Sequence, residues 1–131
     1  MDRRQEFLAE FLGALGAREI RHLQVTPAFV CGTVVYDPND PEEQQDFRWS
    51  IGPDDAPSHS VIRLAGLIRT DGLLSIDKLR ASRQDLLARF NAGSDPNCSP
   101  EQFTAVLEEL LQVRVAMLDD GVESDYYFIH E

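Results

Sequence analysis

The sequence predicts an α+β fold in one domain: an N-terminal helix, a small antiparallel β-sheet of three or four strands, and two C-terminal helices packed on one face. Three observations predict it. Apolar residues recur at helical spacing near the N-terminus and in two segments after residue 75, whereas segments between residues 28 and 51 have strand composition or strict alternation. The 131 residues, 43% of them hydrophobic, suffice for one ordinary core, so residues 1–131 form a single domain.

The first helix is predicted to begin after Asp2, whose carboxylate can cap it, and to end near Leu15. Gly16 follows at the position where a glycine commonly ends a helix. The apolar stripe that defines this helix consists of Phe7, Leu8, Phe11, Leu12 and Leu15.

Three strands are predicted next. Glu19–Thr26 is the weaker candidate, and Ala28–Tyr36 is rich in β-branched and aromatic residues on both faces, which favours a central strand buried on both sides. Asp46–Ile51 alternates between apolar and polar residues, as a half-buried strand does. The last two strands then form a hairpin whose long acidic tip is residues 37–45. The residues predicted to face the core together are Phe47, Trp49 and Ile51.

The segment Val61–Arg69 fits either an amphipathic helix or a short buried strand. The turn-like residues 70–72 that follow favour the strand slightly, and the helix stays open as the alternative. A helix is predicted over Ser75–Asn91, with Gly93 at its end.

The clearest local signal lies at the start of the last predicted helix. Ser99 is placed as its N-cap, a proline follows at the first helical position, and Gln102 completes a capping box. The apolar stripe continues to about Leu118, and Gly121 is predicted to end the helix. Tyr126–Ile129 is predicted as a final edge strand.

The net charge of −11 is confined to two segments. Asp37–Asp55 holds seven acids and one base, Asp119–Glu131 holds five acids and no base, and the rest of the chain is balanced. A neutral body with two acidic segments points to a directed field, which concerns partners and association rates. The carboxylates expected to contact a partner are Asp37, Asp40, Glu42, Glu43, Asp46, Asp54, Asp55, Asp119, Asp120, Glu123 and Asp125.

This acidity disfavours nucleic-acid backbones and anionic membranes as partners, since both would repel it. No apolar run approaches the roughly 18 residues that span a bilayer. Cys31 and Cys98 match no zinc, redox or disulfide pattern, so a reducing cytoplasm is expected. A homodimer stays open.

Residue types that carry chemistry are present without the spacing that chemistry requires. His22, His59 and His130 lie far apart, and Ser58 and Ser60 flank His59 on a segment where neighbouring side chains point apart. The acidic loop from Asp37 lacks the glycine and the terminal glutamate of a calcium-binding EF-hand loop. Cys98 is the better candidate for a reactive thiol because it precedes a helix N-terminus. We therefore expect no catalytic residue, no metal and no cofactor.

The expected function is non-catalytic protein binding, in which acidic surface meets a basic protein partner. An immunity protein, a phage-type inhibitor and a small secretion chaperone, all bacterial or phage proteins, fit this description. The size, acidity and helix-then-sheet order are similar to those of type III secretion chaperones, from which the paired C-terminal helices depart. The alternative is a small enzyme or small-molecule-binding protein. Its anion site would be assembled from Arg48, Arg63, Arg69 and His59.

Overall fold

The computed structural model describes residues 2–92, 98–119 and 121–129. These residues form an α+β fold with five helices and five strands, and none of the helices is both long and apolar enough to cross a membrane. A short 3₁₀ turn, Pro53–Asp55, follows the third strand. The elements are α1 (Arg3–Ala14), β1 (Glu19–Val25), β2 (Val30–Val35), β3 (Gln44–Trp49), α2 (His59–Asp71), α3 (Ile76–Ala81), α4 (Arg83–Ala92), α5 (Pro100–Gln112), β4 (Arg114–Asp119) and β5 (Val122–Tyr127).

The strands form one antiparallel sheet in the order β1-β2-β3-β4-β5, larger than the three or four strands that the sequence predicted. β3 and β4 are neighbours although four helices separate them in the chain. Their register sets Asp46 opposite Leu118 and Arg48 opposite Ala116. The β4–β5 hairpin thus extends the sheet beyond β3.

One face of the sheet packs against the helices in a single hydrophobic core. Phe47 and Trp49 are 1% and 5% exposed, which confirms that they face the core; Ile51 lies beyond β3 and is half-buried, but it also packs against the core. The opposite face, called the outer face below, carries half-buried Cys31 and Thr33, so the prediction that β2 is buried on both sides is wrong in its middle. The buried strand residues of the core face are Val30, Val34, Phe47, Trp49, Val115 and Met117.

Two predicted helix starts are confirmed. The Asp2 carboxylate accepts the backbone N–H of Arg4 at 2.7 Å. Ser99 and Gln102 form the complete capping box: the N–H of Gln102 donates to Ser99 Oγ at 3.2 Å, and the N–H of Ser99 donates to Gln102 Oε1 at 2.8 Å. Both caps satisfy backbone donors that the first helical turn leaves unpaired.

Residues 61–69 belong to helix α2, so the slight preference for a strand is wrong. The Ser58 hydroxyl caps the helix by accepting the N–H of Val61 at 3.3 Å. Gly72 ends it with φ +70°, a conformation that glycine adopts without strain, so the turn-like residues 70–72 are a helix terminus. The residues that this helix buries at helical spacing are Val61, Leu64, Ala65 and Ile68.

The last helix is shorter than predicted. α5 ends at Gln112, and Met117, predicted to lie on the helical stripe, lies in β4 instead. Gly121 forms the β4–β5 turn with φ +80°, rather than ending a helix. The edge strand predicted at Tyr126–Ile129 is present as β5 but begins four residues earlier, and Phe128 and Ile129 are buried beyond it.

The helix predicted over Ser75–Asn91 is divided at Ser82 into α3 and α4. Ser75 caps α3 by accepting the N–H of Lys78 at 3.3 Å. The predicted stop at Gly93 lies outside the described residues.

A buried arginine joins α1 to the sheet. Arg4 is 2% exposed, and its Nη1 donates to the carbonyl oxygens of Thr26 at 2.7 Å and of Ile51 at 2.9 Å. Its Nε and Nη2 donate to the Asp2 carboxylate. One side chain therefore connects the N-terminus of α1, the β1–β2 turn and the segment that follows β3.

Candidate functional site: the acidic end of the sheet

The two acidic segments, remote in sequence, meet at one end of the sheet. Because β3 and β4 are antiparallel neighbours with Asp46 opposite Leu118, the β4–β5 turn lies beside the connection between β2 and β3. With strands about 4.8 Å apart, the two turns are roughly 10 Å from each other. We call this region the acidic end; its acids with described side chains are Asp37, Asp40, Glu42, Glu43 and Glu123, and the backbone of Asp119 ends β4 there.

The β2–β3 connection is built from two successive Asp-Pro turns, which we call the tip (Asp37–Glu43). The carbonyl oxygen of Asp37 accepts the N–H of Asp40, and that of Asp40 accepts the N–H of Glu43, both at 3.1 Å. Each aspartate carboxylate also accepts the N–H two residues ahead, at 2.9 Å, and a proline follows each aspartate. Both features are typical of a β-turn. The tip is thus held by its own hydrogen bonds.

The side-chain carboxylates of Glu42 and Glu43 accept no hydrogen bond from a described residue, and both residues are exposed to solvent, while the Glu43 carbonyl oxygen accepts the N–H of Tyr36 at 2.8 Å. Within the described part of the chain, no cationic side-chain nitrogen lies within 4.0 Å of a tip carboxylate. Arg18 lies at the same end, where its backbone N–H donates to the carbonyl of Val35. The tip carboxylates therefore have no ion-pair partner among the described residues, although Arg18 contributes one positive charge to the same end.

The other predicted partner-binding acids are not all at this end. Asp46 lies on the outer face and accepts the Thr33 hydroxyl at 2.7 Å. Asp54 and Asp55 lie in the 3₁₀ turn after β3, at the opposite end of the sheet. Asp125 lies in β5, with its Oδ2 3.9 Å from Nε of Arg114. Asp120 lies outside the described residues, so the eleven acids do not form one continuous surface.

A cleft of about 460 Å³ opens where β3 and β4 diverge beyond Arg48 and Ala116. It holds two arginines and four acids. The guanidinium of Arg48 lies 4.3 Å from the ring centroid of Phe29, and the pKa of Arg114 is raised by its hydrogen bond to Tyr127 and then by the charge of Asp125. The acids in its lining are Asp55, Glu109, Glu123 and Asp125.

The residues of the alternative anion site do not converge. Arg63 and Arg69 line an open groove of about 660 Å³ on the helical side, whereas Arg48 lines the cleft described above. Arg63 donates to the carbonyl of Phe90 at 2.8 Å and stacks on its ring. Arg69 forms an ion pair with Glu10 at 3.2 Å. These cations have partners inside the fold.

The third arginine of that groove, Arg89, is paired with Asp71. His59 is exposed, and its Nδ1 lies 3.8 Å from a Glu6 carboxylate oxygen. The groove thus does not contain His59, and it offers an anion only guanidiniums that already have partners.

The remaining serine, histidine and cysteine candidates lie in turns, caps and strands of the fold rather than together in one site. Ser58 caps α2, and no group of three or more metal-ligating side chains occurs within residues 2–92, 98–119 and 121–129. His22 has φ +57° inside a β-bulge of β1. Cys98 is half-buried, with its backbone N–H and carbonyl bonded to the side chain of Asn91, and Cys31 Sγ lies 3.6 Å from Gln24 Oε1.

Comparisons of the chain with protein-family models, with curated proteins and with solved structures find no match. Function has to be inferred from the geometry and charge of the chain itself.

Proposed function

We propose that the chain is a non-catalytic protein-binding module that presents the acidic end to a basic protein surface. The observation that carries this proposal is the convergence of the tip with the β4–β5 turn, which brings acids of two distant segments, four from the tip and Glu123 from β5, to one end of the sheet. A concentrated potential of one sign raises the local concentration of an oppositely charged partner and speeds encounter.

The construction of the tip supports a recognition role. Asp37 and Asp40 hold the two turns, while Glu42 and Glu43 project without an internal cation. A surface that is already ordered loses little conformational entropy when it binds. Charges on an exposed rim act mainly on the association rate, so we expect them to steer the partner rather than supply most of the affinity.

The proposal covers an inhibitor, an immunity protein and a chaperone-like adaptor, because each of these would bind its protein partner without catalysis. The alternative of an anion-binding enzyme has less support, because Arg63 and Arg69 are engaged inside the fold and Arg48 lies elsewhere.

The test begins by capturing the partner from the native host with the wild-type chain. It then measures association kinetics of the triple variant Asp40→Asn, Glu42→Gln and Glu43→Gln. Asparagine at position 40 can still accept the turn hydrogen bond, so the tip keeps its shape. The matched control removes three exposed acids of helices α3 and α5, outside both acidic segments: Asp77→Asn, Glu101→Gln and Glu108→Gln.

At low ionic strength, where the Debye length is about 30 Å, we expect the tip variant to associate several-fold more slowly than the control. The difference should shrink near physiological salt, where the Debye length is about 8 Å. The tip variant should keep the wild-type free energy of unfolding within about 0.5 kcal/mol, because exposed loop charges contribute little to stability. The control should lose about 0.3–1 kcal/mol for each of Asp77 and Glu101, because both lie in the first turn of a helix. Equal association rates for the two variants, or a partner that is acidic or a small metabolite, would refute the proposal.

A further inference from the structure

The sheet has two edges, and they differ in regularity. β1 is interrupted between Arg21 and Gln24, where His22 adopts φ +57° and two residues oppose Gly32 of β2. Such a bulge disturbs the backbone ladder and protects an edge from further pairing. β5 pairs with β4 without a break from Val122 to Tyr127, and no other described strand lies on its far side. β5 is therefore the edge suited to accept another strand.

The free edge of β5 has a defined side-chain pattern. Glu123, Asp125 and Tyr127 alternate on the outer face, because they pair with Leu118, Ala116 and Arg114 of β4. Val122 is 63% exposed and Tyr127 is 42% exposed, so apolar surface is available at both ends of the strand. Glu123 has no cation within 4.0 Å among the described residues. The edge thus combines a far side without a described neighbouring strand with two outer-face acids and an exposed apolar residue at each end.

The alternating acids of β5 favour some added strands over others. A second β5 would bring Glu123 and Asp125 of one copy beside the same acids of the other, and like charges across neighbouring strands are destabilising. A strand with lysine or arginine at every second position would set cations opposite the same two acids. The cleft on this face is lined by Glu123, Asp125 and two further acids against Arg48 and Arg114, so acids outnumber the arginines and a long cationic side chain has both room and partners there.

We propose that β5 accepts an extended basic segment of the protein partner as a sixth strand of the sheet. Backbone hydrogen bonds along β5 would hold the segment, and alternate basic side chains would meet Glu123 and Asp125 on the outer face. This inference rests on the proposed function, since it takes a basic protein as the partner. β5 begins at the acidic end, so a partner attracted there meets the edge strand at its first residue.

The test uses a capped synthetic peptide in which lysine alternates with valine, titrated into the isotope-labelled chain. The largest amide chemical-shift changes are expected in Val122–Tyr127, with no comparable change in Glu19–Val25. Two N-methylated peptides serve as a matched pair. Each is methylated at one of the two alternating sets of backbone amides, so only one of them loses the N–H groups that face β5.

One methylated peptide should bind at least about tenfold more weakly than the parent, and the other should bind like the parent. The protein variant Glu123→Gln with Asp125→Gln should also weaken binding several-fold while it keeps the wild-type spectrum elsewhere. Equal affinity of all three peptides, or shift changes centred on β1 or on the tip, would overturn the inference.

The two proposals fail separately. If the association rate of a captured basic partner depends on Glu42 and Glu43 but the peptides do not bind at β5, the proposed function holds and only the sixth-strand inference is wrong. If the captured partner is not basic, the proposed function is wrong whether or not the peptides bind at β5. The sixth-strand inference is then wrong as well, because it takes a basic segment of that partner as the added strand.

Discussion

Replacing Arg4 with alanine should cost more stability than any other single change to an arginine of the described chain. The guanidinium donates to two main-chain carbonyl oxygens, those of Thr26 and Ile51, and to the Asp2 carboxylate, and its side chain is 3% exposed. A hydrogen bond from a charged donor contributes about 1.5–3 kcal/mol. Water can reach the half-buried acceptors in part, so the lower figure applies to each carbonyl. We therefore expect a loss of about 3–4 kcal/mol in the free energy of unfolding.

The assay is urea unfolding of wild type, Arg4→Ala, Arg4→Lys and Arg3→Ala, followed by circular dichroism and by Trp49 fluorescence. Arg3 precedes Arg4 on the same helix and has no hydrogen bond from its side chain to a described residue, so its replacement should change stability by no more than about 0.5 kcal/mol. Lysine keeps the charge but lacks the planar fork, and we expect it to recover less than half of the loss. If Arg4→Ala and Arg3→Ala unfold at the same urea concentration, the hydrogen bonds of Arg4 to Asp2, Thr26 and Ile51 do not contribute to stability.

Three further predictions concern the cap of α5, the buried Trp49 and the Asp2–Arg4 pair. Ser99→Ala removes the capping box and should cost ~1 kcal/mol, lowering Tm by roughly 3–6 °C in a thermal melt, and an unchanged melt would contradict the contribution of the cap. Trp49→Ala should cost about 3–5 kcal/mol in chemical denaturation, and native Trp49 should emit at shorter wavelength than free tryptophan because it is 5% exposed. Asp2→Asn keeps a cap but loses the charge pair with Arg4, whose hydrogen bond lowers the pKa of Asp2 below 3.8. The stability that the Asp2–Arg4 pair supplies is present above pH 3.8 and is lost as the pH falls through the folded-state pKa of Asp2. The difference in unfolding free energy between wild type and Asp2→Asn should therefore shrink in acid. A difference that does not vary with pH would contradict this prediction.

The helix starts could be predicted from the sequence because a cap is a local arrangement of three or four residues. Asp2 and Ser99 are correct for that reason. The end of α5 was not predicted, because the apolar residues from Val113 to Leu118 fit a helical stripe and an alternating strand alike. Asp120-Gly121 was then assigned to a helix end, although an Asp-Gly pair between alternating segments is also a hairpin signal.

The parts of the candidate site that sequence reasoning missed depend on contacts between distant segments. The charge of both acidic segments was evident, but their meeting at one end depends on β4 lying beside β3 across four intervening helices. The role of Arg4 has no sequence signature, because two of its acceptors are main-chain carbonyls, which every residue possesses. Two adjacent arginines at a helix start indicate only a polar first turn.

Positive and negative side chains differ in how they are held by the fold. Many of its arginines are bound within the fold, to carbonyl oxygens, carboxylates and aromatic rings, whereas the tip carboxylates have no cationic partner among the described residues. Substituting an internally bound arginine should therefore change the free energy of unfolding. Neutralising the tip should leave that energy nearly unchanged and slow association with the partner. Arginine variants should therefore show a changed unfolding free energy, and tip variants should show a slower association rate with the unfolding free energy of the wild type. If neutralising Glu42 and Glu43 destabilises the fold as much as removing Arg4 does, the acidic end is part of the folded framework and not a surface held free for a partner.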